Sequence, residues 1–102
     1  MNRYWLSFDL GLRGNYESLY EWLDRLNARE CGESVATFTC SKTPDQIKRE
    51  LSRLLGSSAR VYLVARSNKG AYVGRFVLGK RKRAPWEGYA AATAELDQEE
   101  EG

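Results

Sequence analysis

Few residues in this sequence have side chains suited to chemistry. Among its 102 residues there is no histidine and there are two cysteines. Ser-His-Asp and Cys-His arrangements are therefore excluded within the chain, as is a histidine general base. Cys31 and Cys40 do not form a CxxC pair and have no histidine to join them, so they read as free thiols rather than zinc ligands. What remains is a carboxylate, Asp9, at the end of an alternating segment that begins at Arg3. An aspartate there has two uses: an oxygen ligand for a divalent metal, or an acceptor for backbone N–H groups in the turn at Leu10-Gly11. Ser7 shares its strand face and suits either use.

A second concentration of function-bearing residues is Lys80-Arg81-Lys82-Arg83, followed closely by Trp86. Four cations and an indole suit phosphate contacts and base stacking. They also fit a solvated basic stretch with Trp86 packed on the domain or on a partner subunit. Arg3, Arg13, Arg66 and Arg75 extend the basic set if they share a face. Tyr62 and Tyr72 suit either a stacking platform on an open sheet or ordinary core and dimer contacts.

The net charge of +2 conceals an asymmetry. Residues 94–102 hold five acidic and no basic residues, which leaves sixteen basic against nine acidic, a net of +7, in residues 1–93. A basic body implies a polyanionic partner, and the acidic end is placed to screen the Lys80–Arg83 run. Apolar residues at 42% and charged residues at 29% are the proportions of a globular chain rather than a disordered one. No apolar run approaches the roughly 18 residues of a membrane span. The N-terminus enters strand-like sequence with no signal-peptide pattern. The expectation is a cytoplasmic protein with no membrane partner.

The elements that must position these residues follow from periodicity. Between Arg3 and Asp9, Tyr4, Leu6 and Phe8 alternate with Trp5, Ser7 and Asp9, which predicts a strand. Gly11 and Gly14 break it. Asn15 caps a helix whose stripe is Tyr16, Leu19, Tyr20, Leu23 and Leu26, ending near Ala28. Trp22 falls off that stripe, and an exposed edge or interface position is expected for it. Glu33 to Cys40 reads as a strand, with Gly32 a kink or the start of a short hairpin. Thr43-Pro44-Asp45-Gln46 is a capping box with proline at the first helical position. Ile47, Leu51, Leu54 and Leu55 form that helix's buried face, and Gly56 ends it. Arg60 to Arg66 is nearly continuously apolar in its middle, which predicts a central strand buried on both faces. Asn68-Lys69-Gly70 then turns the chain into a strand from Tyr72 to Leu78.

This order predicts an α+β two-layer sandwich, βαβ(β)αββ, with two helices on one face of an antiparallel sheet. A split second strand makes it ferredoxin-like with one added strand. The expected organisation is a domain over 1–79, a basic and aromatic extension over 80–93, and an acidic disordered tail over 94–102. Ala90 to Leu96 has the composition for a helical turn or two.

Tyr4-Trp5-Leu6-Ser7-Phe8-Asp9-Leu10 resembles the first strand of the small CRISPR-associated nuclease family that partners the CRISPR integrase. It is similar also to the opening of the virulence-associated protein D family. Ser34 to Cys40, then Thr43-Pro44-Asp45-Gln46, resembles the next strand and helix, and Arg60-Val61-Tyr62-Leu63-Val64 the strand that follows. The resemblance implies a ferredoxin-like homodimer in which Asp9 of each copy faces the other across a two-fold axis and shares one divalent metal, Mg²⁺. It implies a metal-dependent RNA or DNA nuclease, or a non-catalytic scaffold on duplex DNA, with Asp9 as catalytic residue and metal ligand. In place of the CRISPR family's arginine cluster this chain has Leu10-Gly11-Leu12-Arg13-Gly14, and residues 80–89 have no counterpart there. Both differences point to a stand-alone relative.

The functional expectation is thus a homodimer that binds RNA or DNA, with Asp9 as the metal-holding centre. Arg13, Lys80, Arg81, Lys82, Arg83 and Trp86 are the nucleic-acid contacts. The alternative is a non-catalytic dimeric module that binds protein partners through its open sheet.

Overall fold

The computed structural model describes residues 1–91. The acidic stretch 94–102, and residues 92–96 of the expected helical turn, lie outside the described residues. The elements are β1 (Asn2–Asp9), α1 (Tyr16–Arg25), β2 (Arg29–Glu30), β3 (Val35–Cys40), α2 (Pro44–Leu55), β4 (Arg60–Arg66) and β5 (Tyr72–Leu78). The strands form one five-stranded sheet in the order β2-β3-β1-β4-β5, and every neighbouring pair is antiparallel. This is an α+β architecture. No helix among the described residues is long and apolar enough to cross a membrane.

The alternation of β1 decides which side of the sheet is dry. Tyr4, Leu6 and Phe8 are buried, whereas Trp5 is half-buried and Ser7 and Asp9 are exposed. Opposite β1, Ala36, Phe38 and Cys40 of β3 and Val61 and Leu63 of β4 supply the same inner face, and Leu19, Leu23, Ile47, Leu51 and Leu55 of the two helices close over it. Neither α1 nor α2 covers the other face.

Both helices start where the sequence predicts. Asn15 accepts the Ser18 N–H at 3.2 Å. Thr43 and Gln46 form the reciprocal capping box with Pro44 at its first turn, which satisfies two otherwise orphaned N–H donors. Gly56 stops α2 with φ +73°, a conformation that glycine adopts without steric penalty.

Three expectations need correction. Trp22 is not an edge residue: it is buried, packs edge-to-face on Phe38 with centroids 5.5 Å apart, and donates its indole N–H to Glu50 Oε1 at 3.3 Å. An indole this large reaches across to the second helix and meets a polar partner there, which an off-stripe position does not rule out. Tyr20, placed on the stripe by spacing, is 55% exposed. The short hairpin expected at Gly32 is present, between β2 and β3. Finally, β4 is central but buried on one face only: Tyr62 and Val64 are half-buried on the helix-free side.

The Tyr4 phenol donates to the Lys42 carbonyl, and burial pushes its pKa above the ordinary value of 10.0. A folded phenol that keeps its proton longer than the unfolded one makes unfolding release a proton. Stability is therefore full below pH 10 and falls as pH rises from there through the folded pKa. Urea midpoints measured from pH 8 to 11 should fall in the parent and flatten in Tyr4→Phe, which starts about 1 kcal/mol lower at neutral pH for want of the hydrogen bond. Parallel decline in both proteins would refute this.

Candidate functional site

The chemistry-bearing residues gather on the helix-free face, at the end of β1. A groove of about 370 Å³ there is lined by Ser7, Phe8, Asp9, Arg60, Tyr62, Phe76 and Arg81. The sheet register brings them together. Asp9 is the partner of Arg60, Ser7 of Tyr62, and Tyr62 of Phe76. Partners in an antiparallel pair project to the same side, so one row carries Ser7, Tyr62 and Phe76, and the row beyond it Asp9 and Arg60.

Arg60 stands across from Asp9, yet no ion pair joins them; the described ion pairs use other residues. The Arg60 guanidinium carbon lies 5.5 Å from the Phe76 ring centroid, and that of Arg81 lies 5.9 Å from the same ring. Tyr62 meets Phe76 edge-on at 5.0 Å. The Arg60 Nε is buried and has no hydrogen-bond partner among the described residues. Two cations thus converge on one aromatic ring. Cation–π attraction orients them without neutralising their charge, and no described carboxylate forms an ion pair with either.

Asp9 engages its turn. Its Oδ1 accepts the Gly11 N–H at 3.1 Å, the Asx-type arrangement expected of an aspartate at a strand end. The loop behind it is held by the Leu10 N–H, which donates to the Tyr16 hydroxyl at 3.3 Å. Magnesium takes oxygen ligands in near-octahedral geometry. The one carboxylate lining this groove belongs to Asp9, and the described residues contain no group of three His, Cys, Asp or Glu side chains able to hold a metal. With two arginines beside that single carboxylate, the described donors of one chain do not make a magnesium site.

Of the residues expected to contact nucleic acid, Arg81 reaches the groove. Arg83 pairs with Glu87 at 3.4 Å, and Lys80 and Lys82 are exposed beyond β5. Trp86 is 74% exposed, and so is not packed on the domain. Arg13 sits in the exposed loop after Asp9. Arg75 faces the helices, where it pairs with Asp45 at 3.3 Å, so it is not part of the open-face basic set.

Arg60 and Phe76, the groove's centre, were not among the expected site residues. The signal for them was alternation: Arg60, Tyr62, Val64 and Arg66 share one parity in β4, as Tyr72, Gly74 and Phe76 do in β5. Gly74 matters to the arrangement, because a Cβ there would fall 2.4 Å from the Tyr62 hydroxyl oxygen and 2.6 Å from its ring. The Tyr62 ring therefore lies across the β5 backbone through the space a side chain would fill.

No protein-family model, no curated protein and no solved structure matches this chain.

Proposed function

We propose that this chain is a cytoplasmic nucleic-acid-binding protein that works as a homodimer and grips phosphates in the groove at the end of β1. The observation that carries this reading is the pair Arg60 and Arg81, both over Phe76 with neither charge met by a carboxylate among the described residues. A polymer of phosphates fits better than a small anion because the cations continue along the sheet. Arg3 begins the same face of β1, Arg29 is paired with Thr37 at its far side, and Arg66 ends β4. Distributed cations with few interspersed acids make a track rather than a pocket.

The fold supports the reading in a second way. Strand order β2-β3-β1-β4, with a helix in each of the two crossovers, is compatible with a ferredoxin-like core to which β5 would be an addition. It agrees with the resemblance carried by Tyr4 to Asp9 and by Thr43 to Gln46. A two-fold dimer whose axis passes beside Asp9 would bring a second Asp9 toward the first, and with it the second carboxylate that the described groove lacks. Metal-dependent cleavage is the second reading, and it holds only in that dimer.

The test is a titration with labelled RNA and DNA oligonucleotides from low to high salt. Affinity should fall linearly with salt on logarithmic axes. No binding to either polymer at low salt would overturn the proposal and leave a protein-binding module as the better reading. Asp9→Asn separates binding from chemistry: removal of a negative charge beside two arginines should tighten binding about two- to threefold, while any Mg²⁺-dependent cleavage should disappear. Cleavage that survives the substitution would eliminate Asp9 as a catalytic residue.

A further inference from the structure

The open face carries aromatic side chains as well as arginines, and they are arranged in two pairs. Trp5 and Tyr72 meet edge-on with centroids 5.6 Å apart, and Tyr62 and Phe76 do so at 5.0 Å. Neither pair is in the core: Tyr72 is 65% exposed, and Trp5, Tyr62 and Phe76 are half-buried. Each pair has arginines beside it. Arg60 and Arg81 flank the second. At the first, Arg3, Arg66 and Tyr72 line a shallow depression together with Met1 and Asn2.

The spacing between the pairs discriminates between kinds of nucleic acid. Trp5 lies opposite Val64, two residues along β4 from Tyr62, and Tyr72 lies opposite Arg66, four residues from it, so the pairs stand about 7–14 Å apart along the sheet at the usual rise per residue. That is at least twice the ~3.4 Å rise of stacked bases in a duplex. Bases seated on both pairs must therefore be pulled apart from one another, and an aromatic ring can take only a base whose face is free. Both conditions describe an unpaired strand and exclude an intact duplex.

Resting on the nucleic-acid reading above, we propose that the open face is a binding site for single-stranded nucleic acid. Trp5–Tyr72 and Tyr62 seat two consecutive bases, and the arginines at either end hold the phosphates. The occupant follows from charge: among the described residues Arg3, Arg60, Arg66 and Arg81 outnumber the one carboxylate on this face, Asp9 at its end, so a polyanion matches it whereas a second copy laid across the whole face would meet like charge.

The experiment compares an unstructured oligonucleotide of about ten pyrimidines with a blunt duplex of equal length, by fluorescence anisotropy, on the parent, Tyr72→Ala and Tyr72→Phe. Tyr72 is exposed and its replacement should not disturb folding. The expected result is tighter binding of the single strand, a roughly tenfold loss in Tyr72→Ala, recovery in Tyr72→Phe, and an unchanged salt slope, because no phosphate contact is removed. Equal or tighter binding of the duplex, or an unaffected Tyr72→Ala, would overturn the single-strand site and leave general nucleic-acid binding intact. Failure of both polymers to bind would instead overturn the underlying reading. If Tyr72→Ala halves the native mass in solution, the face is a contact between copies and the proposal is wrong.

Discussion

Replacing Arg60 and Arg81 together by glutamate is expected to weaken nucleic-acid binding by on the order of a hundredfold or more at moderate salt. Both guanidinium groups converge on Phe76, so the double change turns the most concentrated positive charge on the open face into its opposite, next to Asp9. The milder double change to glutamine should lower the slope of log affinity against log salt by about two, one for each lost phosphate contact. Glutamine is shorter but stays polar and adds no negative charge, so it also guards against an effect of misfolding. Arg83→Gln supplies the contrast. Arg83 is committed to Glu87 and is not part of the groove, and its loss should change affinity by less than about threefold. An Arg60/Arg81 double variant that binds like the parent would show that the phosphates lie elsewhere.

The largest effect on stability is expected from Gly14→Ala, a change of a single methyl group. A Cβ at residue 14 would lie 2.1 Å from the Leu10 Cβ and 2.3 Å from the Leu10 carbonyl oxygen. Neither atom can swing aside as a side-chain tip would, and Leu10 is itself buried, at 4% exposure. The loop must open or Leu10 must leave the core, at a loss of about 3 kcal/mol or more. For a domain of this size that is a fall in Tm of roughly 10–20 °C. Gly11→Ala separates conformation from space. Gly11 has φ +72° and nothing within 4 Å of an added Cβ, so the change should destabilise by only about 1 kcal/mol. If the two variants melt together, the close approach at Leu10 is not what holds the loop.

Much of the fold was legible because its signals are local. The capping box at Thr43, the Asn15 cap, the alternation in β1 and β3 and the turn at Asn68-Lys69-Gly70 each declare themselves within a few residues. The site was legible only in part. Asp9, Ser7, Tyr62, Tyr72 and Arg81 stood out by type or position, but Arg60 and Phe76 acquire meaning only from register. Arg60 meets Asp9 because β4 pairs with β1 from Tyr4–Ala65 to Asp9–Arg60. Phe76 reaches Tyr62 because β5 shifts its pairing at Val61/Tyr62, an irregularity no local pattern announces. The apolar middle of β4 suggested burial on both sides because tyrosine and valine are as much at home on a half-covered sheet as in a core. Trp22 was misplaced because the reach of an indole is not captured by angle around a helix axis.

The division of β1 into a buried set and a working set has an evolutionary consequence. Tyr4, Leu6 and Phe8 must keep one parity and Trp5, Ser7 and Asp9 the other, so the strand behaves like a message in a two-letter frame. Substitution within either parity can retune the groove and leave the core untouched, or the reverse. Insertion or deletion of one residue before Asp9 would exchange the two sets over part of the strand, driving polar groups inward and aromatics outward at once. Divergence at this face should therefore proceed by replacement, with changes in length confined to the segments beyond the strand ends.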